Sequence, residues 1–240
     1  MAGSGLRWRR VHVATAVARA GLPAHAVDTF YARLGAHALA FAAGSAMPVV
    51  VGPVLRHAID TTQGRAKVVW ASHTGNWEAA LAGMAVHLPL IAIVKRQSQR
   101  WADDLATRRR AQAGVVLLPP AGSLRAGAAA LARGKTVVAL GDQAPARRRG
   151  AVADTFLGAD CWSDPSAALL AARARCPLWV VAQHWDRGVT HVELLGSLEP
   201  RGPAGVVEAT RRATGLLEAF VRAHPSDWLW LHRRWKVLPR

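Results

Sequence analysis

Cysteine is almost missing from this 240-residue chain, with Cys161 and Cys176 the two present. Two cysteines form no disulfide framework, and they build no zinc set without scattered histidines. Buried, reduced thiols are the expectation. Acidic residues are also few, 15 against 31 Lys and Arg, for a formal net charge of +16. Lysine is scarcer still, at Lys67, Lys95, Lys135 and Lys236, so arginine carries the charge. Long apolar runs are lacking as well. The stretch from Leu34 to Leu55 has no Asp, Glu, Lys or Arg, but it contains His37, Gly44, Ser45, Pro48, Gly52 and Pro53. It reads as a buried helix broken near Pro48 rather than a membrane span. No apolar segment ending at a small-residue cleavage site follows the basic start, so no signal peptide is expected.

What is present is apolar and ordered. Hydrophobic residues make up 51% of the chain, which excludes a disordered tail or a solvating linker. The positive excess predicts acidic partners: phosphate, an anionic membrane face, an acidic protein or nucleic acid. Residues 1–64 are expected to be mainly helical, with apolar positions recurring at threes and fours. From 65 onward, strand-like runs (Val68–Ala71, Leu88–Val94, Val115–Leu118, Thr136–Leu140, Leu178–Gln183, His191–Leu195) alternate with helical segments (Gln99–Gln112, Ser123–Ala132, Pro165–Ala174, Val206–Arg222). Such alternation predicts one α/β domain over residues 1–240, a mostly parallel sheet flanked by helices behind a helical N-terminal segment. Chemistry in these sheets gathers beyond the carboxyl ends of strands, where Ser72–Glu78 and Gly141–Pro145 are expected to lie.

The sharpest local feature is His73-Thr74-Gly75-Asn76-Trp77-Glu78. A histidine and a carboxylate five positions apart can form a proton-handling pair, in which the carboxylate fixes the tautomer and stabilises the imidazolium. On a helix the two would stand about 140° apart, so His73 must lie in the preceding turn, which Gly75 permits. The bland alternative is a capping histidine beside a solvated glutamate. The second feature is Trp228-Leu229-Trp230-Leu231-His232-Arg233-Arg234-Trp235-Lys236. Tryptophans interleaved with cations suit a membrane interface, base stacking, or a terminal helix docking its indoles into the core. His184 and His191 read as strand-end residues, and Arg147-Arg148-Arg149 as a solvated loop.

Together these segments resemble the bacterial late (lauroyl/myristoyl) lipid A biosynthesis acyltransferases, which share a glycerolipid acyltransferase-like core. His-Thr-Gly-Asn-Trp-Glu matches their His-x-Gly-Asn-Trp-Glu, and Trp230 to Lys236 is similar to their Trp-x-His-Arg-Arg-Trp-Lys run. Asp142-Gln143 resembles their Asp-Gln pair after a strand. Phe156-Leu157-Gly158 resembles their Phe-Phe-Gly with one change. The resemblance implies transfer of an acyl chain from a thioester, on acyl carrier protein or as acyl-CoA, to a hydroxyl of an anionic membrane glycolipid. It implies His73 as general base, Glu78 as its orienter, Arg110 as oxyanion or phosphate donor with Arg109 its rival, and Asp142 bracing the site. Gly75, Asn76, Gln143, His232, Arg233 and Arg234 are implied in binding substrate. No metal or cofactor is expected beyond the acyl thioester as co-substrate.

Family members usually begin with a hydrophobic anchoring helix, and no such helix is expected from the residues here. Peripheral attachment at the cytoplasmic face of the inner membrane would then rest on Trp8 with Arg7, Arg9 and Arg10, on residues 34–55, or on the tryptophan-rich tail. An apolar groove along Leu81–Leu90 is expected to take the acyl chain. The rival classes are an acyl-CoA-dependent lysophospholipid acyltransferase, a non-catalytic lipid binder, and a nucleic-acid-binding protein using the Trp/Arg tail.

Overall fold

The computed structural model describes residues 9–45, 47–145 and 150–235. Trp8, Arg147–Arg149 and Lys236 lie outside them. In chain order the elements are α1 (Arg10–Arg19), α2 (His25–Ala43), β1 (Val49–Val51), α3 (Pro53–Thr61), β2 (Lys67–Ala71), α4 (Trp77–Ala85), β3 (Leu90–Ile93), α5 (Arg100–Gln112), β4 (Val116–Leu118), α6 (Ser123–Leu131), β5 (Thr136–Leu140), β6 (Val152–Phe156), β7 (Ala159–Ser163), α7 (Ser166–Ala174), β8 (Leu178–Asp186), β9 (Val189–Leu198) and α8 (Gly202–Ala223). Seven strands form one sheet in the order β1-β9-β8-β2-β5-β3-β4, parallel except where β8 meets β9.

Period-two alternation sorts the central strands between two cores. Val68 and Trp70 of β2, with Leu178, Val180 and Ala182 of β8, face the side covered by α1, α2, α6, α7 and α8. Val69 and Ala71, with Trp179 and Val181, face the side covered by α3 and α4. Burial on both faces explains why these strands read as near-continuous apolar runs. The N-terminal segment is helical apart from β1, a Val49-Val50-Val51 triplet that adds a parallel edge strand beside β9.

Three features differ from expectation. The strands β6 and β7 form a separate antiparallel hairpin that closes through Leu157 (φ +51°) and Gly158 (φ +74°). The tail after α8 forms turns rather than an amphipathic helix, and Trp228, Trp230 and Trp235 are buried in the core. These indoles therefore cannot serve as a membrane anchor. Residues 34–55 split among α2, β1 and α3, with a strand and exposed Leu39, Val50 and Val54 where a buried, broken helix is expected; in keeping with expectation, no described helix is long and apolar enough to cross a membrane.

Register places the site. Ala71 of β2 lies beside Leu140 of β5, so the chain beyond each strand brings His73 and Asp142 side by side at the carboxyl edge.

Candidate active site

Asp142 is fully buried and meets His73 twice. The main-chain N–H of His73 donates to Oδ2 at 2.9 Å, and Nδ1 of the ring lies 2.8 Å from Oδ1. A carboxylate only accepts, so Nδ1 carries a proton, and in the neutral ring it is Nε2 that presents a lone pair. Burial alone would raise the Asp142 pKa. The charge and hydrogen bonds of His73 outweigh that and hold the carboxyl well below the usual carboxylate range. The indole of Trp228 donates to Oδ2 at 3.0 Å, and Arg234 donates to the Asp142 carbonyl at 2.7 Å and to Ser163 Oγ at 2.9 Å.

The turn that carries His73 is braced on two sides. Residues 73–75 pair with 227–229: Gly75 N–H donates to Asp227 O at 2.7 Å, Leu229 N–H donates to His73 O at 2.8 Å, and Thr74 bridges Trp228. The Gln183 side-chain amide of β8 donates to Ser72 O and Thr74 O, and its main-chain N–H donates to Thr74 Oγ1. Gly75 sits at φ +46°, and a Cβ there would stand 2.8 Å from Gln183 O, so any side chain is excluded. Asn76 caps α4, its Oδ1 accepting the Ala79 N–H at 3.0 Å.

The contacts differ from those the motif implied. Asp142, rather than Glu78, meets the His73 ring. Glu78 stands in the first turn of α4 and takes both oxygens to Arg110, Nε to Oε2 at 3.0 Å and Nη2 to Oε1 at 2.5 Å. The turn-to-helix change between positions 73 and 78 sends the two side chains apart. Gly75 and Asn76 shape the loop, and Arg234, with no exposed surface, holds the Asp142 backbone; burial keeps that guanidinium from substrate. Arg233 is exposed. Arg109 packs across Gly44 and Ala42 O in the groove wall.

Gln143 and His232 do reach the histidine. The Gln143 amide nitrogen is 3.3 Å from His73 Nε2 and 3.5 Å from Nδ1, a near-equal pair that places it over the ring face. The same nitrogen is 3.1 Å from His232 Nε2, and the two imidazoles pack edge to face at 4.7 Å. His73, Asp142 and His232 are the one described set whose ligand atoms could gather a metal ion, all within 4.8 Å. Asp142 already accepts three N–H donors there, which suits proton handling. Sequence reading missed Trp228, Asp227 and Gln183. Trp228 stood in a segment already singled out, but nothing local marks its indole as a partner of Asp142.

A groove of about 490 Å³ runs along α4 beside the site. Leu81, Ala82, Gly83, Val86, Val49 and Val115 give it apolar walls, and Arg56, Arg109 and Arg110 give it charge. A smaller pocket of about 40 Å³, lined by Ser72 and Trp77 around the His73 turn, shares Glu78, Leu81 and Arg110 with the groove. The chemistry thus adjoins an apolar slot with a cationic wall.

Histidine burial has a measurable consequence. Burial, then the positive charge of Arg33, pushes His37 down to about 4; burial, with the charges of His73, Arg234 and Arg9, does the same for His232. Both are neutral at pH 7 in the fold, whereas the unfolded chain titrates near 6.5. Between about 6.5 and 4 the unfolded state binds more protons, so stability falls as pH drops. For His37, 7% exposed, the loss approaches about 3 kcal/mol. Urea midpoints for His37→Phe should decline less steeply across this window than wild type; parallel curves would refute the assignment.

No curated protein matches this chain. The family described as bacterial lipid A biosynthesis acyltransferase matches residues 56–237, from α3 through the buried tail. The matched span contains His73, Asp142 and the α4 side of the groove, and the chain belongs to the bacterial lipid A biosynthesis acyltransferase family.

Proposed function

We propose that this acyltransferase moves a fatty acyl chain from a thioester to a hydroxyl of a lipid A precursor or related anionic glycolipid at a membrane face, with His73 as base and Asp142 as its orienter. The observation that carries the reading is the Nδ1–carboxylate bond, which in the neutral imidazole turns the Nε2 lone pair away from Asp142 and leaves it to accept a proton. His73 Nε2 takes the acceptor hydroxyl proton as the oxygen attacks the thioester carbonyl. The tetrahedral oxyanion collapses, the C–S bond breaks, and the leaving thiolate recovers that proton from the imidazolium. Asp142 stabilises the imidazolium between those steps. Neither a metal nor a covalent enzyme intermediate enters.

Donors for the oxyanion come from the same shell. The Gln143 amide is poised beside His73, and the part of Arg110 not committed to Glu78 can meet a carbonyl or phosphate oxygen. Glu78 orients Arg110 and, through it, the groove's charged end. Leu81, Val86 and Val115 would hold the acyl chain, while Arg56 and Arg109 attract an anionic carrier or headgroup. The acidic carrier protein and the inner leaflet fit the net charge of +16.

The test is transfer of a labelled acyl chain from acyl carrier protein, and in parallel from acyl-CoA, to a total membrane lipid extract. Wild type should yield a labelled glycolipid that mass spectrometry can name, and His73→Ala should be about 10²–10⁴-fold slower. Equal rates in the two proteins would refute the mechanism.

A further inference from the structure

The tryptophans sort unevenly. Trp70, Trp179, Trp228, Trp230 and Trp235 are buried, and Trp77, Trp162 and Trp185 are partly so. Trp101 is 70% exposed, the one exposed tryptophan among the described residues. A lone exposed apolar side chain needs no explanation. Its neighbours and its place in the fold do.

Trp101 is the second residue of α5, which follows β3, and β3 runs parallel to β2 and β5. The β3–α5 connection therefore leaves the sheet at the edge that carries His73 and Asp142. Ile93 lies beside Ala139, so Lys95 is placed next to the chain leaving β5 toward Asp142, where Leu140 is 37% exposed. From Lys95 to Arg109 there are five cations and two carboxylates. Arg96 takes Asp103, through Nε to Oδ2 at 2.9 Å, and Asp104 remains exposed on α5. Lys95, Arg100 and Arg108 are exposed and form no hydrogen bond or ion pair among the described residues. On α5, Trp101, Leu105 and Arg108 follow at four and seven positions and share one face.

We propose that this surface, Trp101 with Lys95, Arg100 and Arg108, docks the protein on an anionic phospholipid bilayer and brings the carboxyl edge of the sheet against the headgroup layer. The inference extends the acyl-transfer reading, which needs the site to meet a lipid acceptor. An indole has the amphipathic shape that settles at a membrane–water boundary, and unpaired cations beside it meet lipid phosphates. The tail's indoles are spent in the core, which leaves Trp101 as the exposed indole among the described residues. An acidic protein could also meet the cations, but it gives the protruding indole no apolar layer to enter.

Sedimentation with vesicles tests it. Wild type should bind phosphatidylglycerol–phosphatidylcholine vesicles and bind phosphatidylcholine alone far less. Lys95→Ala with Arg100→Ala should lower the anionic partition about fivefold per cation removed. Trp101→Ser should lower it by about tenfold, and Trp101→Phe should restore most of it. All three positions are solvent-facing, so unchanged thermal midpoints will certify the fold. Wild type failing to bind, or variants binding as wild type does, would overturn the proposal. So would loss of acyl carrier protein binding with vesicle binding intact. Sedimentation needs no turnover, so a wild type that docks through Trp101 yet transfers no acyl chain would sink the acyl-transfer reading alone.

Discussion

Asp142→Asn is expected to reduce acyl transfer by about 10³–10⁴-fold with little change in KM. Asp142 faces three N–H donors: the backbone and Nδ1 of His73 and the indole of Trp228. An asparagine keeps one accepting oxygen and turns an NH₂ group toward the rest. His73 escapes the donor–donor clash by moving its proton to Nε2, so that Nδ1 accepts from the amide. An Nε2 that already carries a proton cannot take another from the acceptor hydroxyl. A fall in kcat with a retained thermal midpoint is the expected signature; a variant within tenfold of wild type would contradict the orienting role.

The second large effect is on stability. Arg234→Met removes the donors to Asp142 O and to Ser163 Oγ, both inside the protein. Ser163 also donates to Asp154 Oδ2 at 2.7 Å, so the loss reaches the β6–β7 hairpin. Asp142 O is left without a donor while Ser163 Oγ keeps Thr214 Oγ1 at 3.2 Å, so the loss is about 1–3 kcal/mol, and the Arg234 stem over Phe156 is repacked besides. Urea unfolding should show this loss, and activity should fall with it as the Asp142 loop shifts. A change below about 0.5 kcal/mol, the range of ordinary surface substitutions, would contradict the positioning role.

The sheet was legible because strands buried on both faces leave β-branched and apolar runs, as in Val68–Ala71 and Thr136–Leu140. The β6–β7 hairpin escaped because its residues are largely Ala, Asp, Ser and Cys, and its turn begins at a leucine with positive φ rather than at Asn-Gly. The short β1 was hidden in an apolar stretch that also read as helix. Motif resemblance pointed to the turn at the carboxyl edge of the sheet and to the histidine that meets the buried Asp142. It led to the wrong carboxylate for the ring, since spacing along a chain says nothing of a partner 69 residues away. The tail shows a similar limit. Tryptophan and arginine side by side suit a membrane edge and a core alike, and only tertiary contacts, Trp228 on Asp142 and Arg234 behind it, decide for the core.

The glycines around the site carry a parallel lesson. Gly141 precedes Asp142, and a Cβ there would overlap the Trp70 indole, so the strand end is pressed against the core just where the carboxylate must turn inward. Gly75 does the same for His73 from the other side. Both loops are shaped by close backbone approach, which places His73 against a fully buried charge.

The most direct measurement is a double-mutant cycle of turnover on His73→Ala, Asp142→Asn and the pair. If Asp142 acts only through the ring, the double variant will be no slower than His73→Ala alone. Losses that multiply would mean that Asp142 serves the reaction independently of His73, and the assignment of base and orienter would fail.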